Sequence, residues 1–174
     1  MRALQTISFI YDMREDRVLA LVNIGGPEAW ACWLTRRVAT VLLERAANLI
    51  ASTSTLAQRS PAANSSNVVS FGRDAANTNT ADNTSEVPLD ALRTIGPTAA
   101  LVGQMTISRQ GASFGLELQE KGGDGVAAVL DRDELQRILD KLETVAVQAN
   151  WLSAVVKARA MSENEETESA AAAR

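Results

Sequence analysis

The sequence predicts an α+β fold, a two-layer sandwich in which an antiparallel sheet of about five strands carries two long helices on one face. Three observations lead there. Segments of alternating apolar and polar residues occur in pairs joined by short polar turns, two stretches repeat apolar residues at three- and four-residue steps, and the plan strand, strand, helix recurs along the 174 residues.

Leu4 to Tyr11 puts Ile7, Phe9 and Tyr11 on one side and Thr6 and Ser8 on the other, the period of a half-buried strand. The mixed charges of Asp12-Met-Arg-Glu-Asp16 then make a turn. Arg17 to Ile24 resumes with Val18, Ala20, Val22 and Ile24 on one side and Leu19 and Leu21 on the other, as in a strand covered on both faces. Gly25-Gly26-Pro27-Glu28 combines a strand stop with a helix start, because proline suits the first helical position and an early glutamate complements the helix dipole. A helix is therefore expected through about Ile50, with Trp30, Leu34, Val38, Val41, Leu42 and Leu49 as its apolar stripe. Arg36, Arg37, Glu44, Arg45 and Asn48 fall mostly on the opposite side.

From Ser52 to about Glu86 the composition shifts to Ser, Thr, Asn and Ala, too polar to offset its ordering entropy, and reads as a linker. A short helix from Pro88 through Thr94 and a turn from Pro97 to Val102 bring the chain back. Gln104 to Arg109 and Ser113 to Glu120 form a second hairpin across Gln110-Gly111-Ala112. Val126 to Leu130 is short, apolar and flanked by turn residues, so it reads as a third strand. Asp131 and Glu134 make an acidic capping box for the last helix. That helix carries the most regular stripe in the chain: Leu135, Ile138, Leu142, Val145, Ala149, Leu152 and Val156. After Ala160 an acidic tail follows. The organisation is thus a first half over 1–52, a linker over 53–97, a second half over 98–160 of the same domain, and a tail over 161–174.

Composition removes much chemistry. With no histidine and one cysteine, neither a Cys/His metal site nor a histidine-activated nucleophile can be assembled. Asp124, Asp131, Asp133 and Glu134 lie close in sequence but lack the spacing of a calcium loop, and Gly25-Gly26 lacks the following residues of a phosphate-binding loop. No cofactor, metal or catalytic residue is assigned. Cys32, between Trp30 and Trp33, reads as a small core side chain, and Trp30, Trp33 and Trp151 as core aromatics. The net charge of −4 gives no cationic footprint for nucleic acid. No apolar run reaches a membrane span and no signal peptide opens the chain, so the expected location is the cytoplasm.

The stretches Ile7-Ser-Phe-Ile-Tyr-Asp-Met-Arg-Glu-Asp-Arg-Val-Leu-Ala-Leu21 and Ala29-Trp-Ala-Cys-Trp-Leu-Thr-Arg-Arg37, with Leu135-Gln-Arg-Ile-Leu139 and Trp151-Leu152, resemble a family of small bacterial proteins of unknown function. That resemblance implies no activity, ligand or site residue. In layout alone, Met105 to Leu142 is similar to the strand-strand-strand-helix repeats of PUR-type and related single-strand nucleic-acid binders, without their basic, aromatic sheet. The expected function is a non-catalytic interaction or structural module that self-associates as a homodimer through Leu135, Ile138, Leu142, Val145, Leu152 and Val156. A separate protein partner is the other expectation for such a module. Arg36, Arg37 and Arg45 are the candidate contacts for an acidic partner or phosphate. The alternatives are a single-stranded nucleic-acid binder using the sheet face and a small-ligand binder or carboxylate-dependent enzyme.

Overall fold

The computed structural model describes residues 1–53 and 90–152. The expected linker, for most of its length, and the acidic tail lie outside the described residues.

Seven strands form one mixed sheet: β1 (Arg2–Ala3), β2 (Ile7–Asp12), β3 (Arg17–Val22), β4 (Trp30–Thr35), β5 (Ala100–Gln110), β6 (Ser113–Glu120) and β7 (Gly125–Leu130). Their spatial order is β1-β7-β6-β5-β4-β3-β2. The longer helices are α1 (Arg36–Thr53) and α3 (Arg132–Gln148), while α2 (Ala91–Thr94) is one short turn followed by a 3₁₀ turn at Gly96–Thr98.

The expected antiparallel sheet of about five strands is thereby corrected. Two strands were missing from it, and two of the pairings are parallel: β1 with β7, and β4 with β5 through Cys32 opposite Ala100 and Trp33 opposite Leu101. The larger error lies at Trp30–Thr35, expected as the first turns of a helix. Trp30 and Leu34 are spaced for one helix face, but Trp30, Cys32 and Leu34 also share one face of a strand. A short apolar run does not distinguish the two periods. Gly25-Gly26-Pro27 accordingly closes a loop between strands. Asn23 (φ 51°) and Gly25 (φ 88°) turn the chain through left-handed backbone, and Val22 pairs with Trp30 beyond it.

β4 runs into α1 without a connecting loop. The Thr35 hydroxyl accepts the Val38 N–H at 3.3 Å, so the last strand residue is also the helix cap. Apart from the two-residue β1, each half of the molecule is therefore three strands followed by a long helix, a fuller repeat than the sequence suggested, and the parallel β4–β5 contact joins the halves. The second hairpin has the expected form: Gln110 pairs with Ser113, and Gly111 (φ 66°) occupies the first of two turn positions, where a primed turn needs positive φ.

Both long helices lie on one face of the sheet. Ile7, Val18, Val22, Trp30, Cys32 and Leu34 of the first half are buried in one core with Phe114, Leu116, Leu118, Val126 and Leu130 of the second, beneath Leu42, Ile50, Leu135, Leu139 and Leu142 of the helices. The opposite face carries a second, smaller core over β3 and β4. There Leu19, Leu21 and Trp33 are buried with Ala91 of α2. The Trp33 indole N–H donates to the Gly96 carbonyl at 3.0 Å, and a Cβ on Gly96 would sit 3.1 Å from the Trp33 ring, so glycine leaves room for the indole to approach the turn.

Candidate functional site

The apolar stripe singled out for self-association is internal. Leu135, Leu142 and Val145 are buried, and Ile138 packs against the same core from a half-buried position. Helix α3 ends at Gln148, and Asn150 takes left-handed backbone (φ 59°) as the chain turns, so Leu152 does not continue the helical stripe. Val156 lies outside the described residues. Leu135, Ile138, Leu142 and Val145 are thus packed in the chain's own core.

Trp151 explains why the chain turns there. Its indole N–H donates to Asp16 Oδ1 at 2.7 Å, and its ring meets Tyr11 edge-on with centroids 5.6 Å apart. The Tyr11 hydroxyl donates to the same Asp16 oxygen at 2.9 Å, and Arg36 Nη2 donates to the Trp151 carbonyl at 3.2 Å. The two donated hydrogen bonds, from Trp151 first and then Tyr11, hold the Asp16 carboxyl below its ordinary pKa, with a smaller contribution from the Arg36 charge. The mixed-charge hairpin tip is thus a clamp for the end of α3.

The three arginines do not make one cationic patch. Arg36, Arg37 and Arg45 are all exposed on α1. Nine residues separate Arg36 from Arg45, which at 3.6 residues per turn places them on opposite sides of the helix. Arg36 is also engaged with Trp151. A further arginine, Arg132, was not singled out from the sequence: it donates to the Ile50 carbonyl and the Thr53 hydroxyl at the end of α1 and sits 5.8 Å from the Phe114 ring centroid. It binds helix to helix, as a cation at the negative end of α1 should.

Of the four carboxylates singled out from the sequence, Asp124, Asp131 and Glu134 are similarly committed. Asp131 and Glu134 complete the capping box reciprocally, at 2.7 and 2.9 Å. Asp124 accepts from its neighbour's Gly125 N–H and pairs with Arg2, which ties β1 to the β6–β7 turn. Among the described residues no group of three or more Cys, Asp or Glu side chains could hold a metal ion, and no helix is long and apolar enough to cross a membrane. Cys32 is fully buried, and desolvation pushes its thiol up to about 12, which keeps it protonated and unreactive.

Two surfaces remain. The first is the face of β5, β6 and β7 away from the helices, over which no described helix packs. Gln104, Thr106, Ser108 and Gln110 line it beside Gly115, Glu117 and Gln119, with Val129 65% exposed and Leu101 47% exposed. Its strand positions carry one carboxylate and no cation. The second is the outer edge of β2, which pairs with β3 on one side and, among the described residues, with nothing on the other. At the other end of the strand order the two-residue β1 pairs with Val126 and Ala127 at the start of β7, tied there by the Arg2–Asp124 pair.

No family model, curated protein or solved structure matches this chain.

An edge strand offers unpaired backbone donors and acceptors, and proteins ordinarily blunt such edges with lysine, proline, bulges or shortness. In β2, Ile-Ser-Phe-Ile-Tyr-Asp has no lysine, proline or glycine, its register with β3 runs unbroken over six pairs, and its one charge is at the end. The sequence contained this absence of blunting residues. What it did not contain was the strand's position at the edge.

Proposed function

We propose that this chain is an interaction module that associates with a second copy of itself, and that the outer edge of β2 is the surface it uses. The observation that carries this reading is the six-residue apolar edge, free of the devices that keep sheet edges apart. Two further features support it. The acids that chemistry would need, Asp16, Asp124, Asp131 and Glu134, are each engaged in a bond that holds two elements together or caps a helix. Among the described residues, the arginines that phosphate would need are dispersed around α1 and the β5–β7 face away from the helices presents a carboxylate, which does not favour single-stranded nucleic acid.

Size-exclusion chromatography with light scattering tests the reading. At tens of micromolar the expected mass is twice the 18.6 kDa of the chain, falling toward that value on dilution. A mass of one chain throughout would overturn it. Fluorescence anisotropy with single-stranded oligonucleotides at low salt is expected to stay flat.

A further inference from the structure

The direction of each backbone group along β2 follows from one hydrogen bond. The Asn23 N–H donates to the Thr6 carbonyl at 3.0 Å, so Thr6 and Asn23 are a hydrogen-bonded pair of the β2–β3 ladder extended by one residue. Hydrogen-bonded and non-bonded pairs alternate along antiparallel strands. Ser8, Ile10 and Asp12 therefore bond to β3, while the N–H and C=O groups of Ile7, Phe9 and Tyr11 point outward from the sheet. The side chains of these same three residues pack on the helix side, and that of Ile10 packs on the other.

A second copy approaching in the antiparallel sense can use all three outward residues in one register. Phe9 then lies opposite its own counterpart and Ile7 opposite Tyr11, which makes three hydrogen-bonded pairs and about six backbone hydrogen bonds. Shifting the register by two residues in either direction takes one pair beyond the strand. The centred register also keeps charges apart, since Asp12 falls opposite Thr6. Helix-side residues meet helix-side residues, with the Phe9 rings adjacent across the junction, where an aromatic pair adds to the ladder.

We infer that two copies of this chain join β2 to β2 about a two-fold axis at Phe9, giving one sheet continuous through both. This deepens the self-association reading and rests on it. Wild-type protein provides the first measurement. On raising its concentration from below a micromolar to tens of micromolar, hydrogen exchange at the amides of Ile7, Phe9 and Tyr11 slows by about tenfold or more, while the amides of Ser8, Ile10 and Asp12 do not change. For the register, Ser8→Cys and Ile10→Cys variants are mixed under oxidising conditions. The cross-link is expected in the mixture and in neither variant alone, and buried Cys32 does not compete. Val129→Cys, on the uncovered face, is expected not to cross-link.

The outcomes separate the two claims. A wild-type mass of one chain overturns the self-association reading and the pairing together. A dimer whose edge amides are unaffected by concentration, or one that cross-links through Val129→Cys, leaves self-association standing and overturns the edge. Slow exchange at Ile7, Phe9 and Tyr11 in the monomer would assign the edge to another segment of the same chain, and also overturns the pairing.

Discussion

Asp16 shows how one side chain can fix a tertiary arrangement. It occupies left-handed backbone (φ 48°) in the β2–β3 turn, and its carboxylate collects donors from Trp151 and Tyr11, residues separated by the length of the described chain. Because these bonds lower its pKa in the folded state, the group stabilises the fold fully above its unfolded pKa of about 3.9. That contribution is lost as pH falls through the unfolded and then the folded value. Asp16→Asn, which keeps a residue tolerant of positive φ, should unfold at a lower temperature than wild type at pH 7, with the difference closing below about pH 4. Thermal unfolding followed by tryptophan fluorescence measures this. A difference that stays constant with pH would show that the charge of Asp16 is not what matters. Asn23 works at the same scale: its side-chain oxygen accepts the N–H groups of Gln5 and Thr6 at 2.8 and 3.0 Å, and its amide donates to the Ala3 carbonyl at 2.7 Å. A single buried side chain thereby routes the segment between β1 and β2.

At the scale of elements, the β6–β7 hairpin depends on two glycines for different reasons. Gly123 has φ 87° with nothing near the position of a Cβ, so Gly123→Ala meets only backbone strain, worth about 1–2 kcal/mol. At Gly125 a Cβ would collide with the Leu118 carbonyl oxygen, and β7 would have to move away from β6. Gly125→Ala should therefore cost on the order of 3 kcal/mol, the larger of the two in denaturant unfolding. Equal losses would mean the strands separate easily. The turn character of Lys121 to Gly125 was readable from composition, as were β2, β3, β6, β7 and the cap of α3, because each has a periodic or capping signal. The strand β4 was not. Trp-Ala-Cys-Trp-Leu-Thr is covered on both faces, by the helices through Trp30, Cys32 and Leu34 and by α2 through Trp33, so it lacks the alternation that marks a half-exposed strand. The end of α3 was missed for a related reason: Leu152 continues the helical spacing while Trp151 leaves the helix for Asp16.

For the molecule as a whole, the unequal edges of the sheet are the feature with consequences. At one edge β1 and the Arg2–Asp124 pair cover the first residues of β7; the other edge is β2, long and mostly apolar. Placing a lysine on it imitates the protection that β2 lacks. Ser8→Lys, on the side away from the helices, should change folding stability by no more than about 0.5 kcal/mol while weakening self-association about tenfold or more. Light scattering over a dilution series, beside a melting curve, separates the two effects, and unchanged association would argue against the edge. The sequence by itself determined the elements with local signals, the absence of a histidine-based site, and the presence of two halves built on one plan. Only the tertiary structure decided that the halves meet through parallel β4 and β5, that the stripe of α3 is spent on the chain's own core, and that β2 is at an edge. The physical reason is that periodicity reports which faces of an element are apolar. It carries no information on which neighbour covers them, and backbone groups left without a neighbour have no sequence signal.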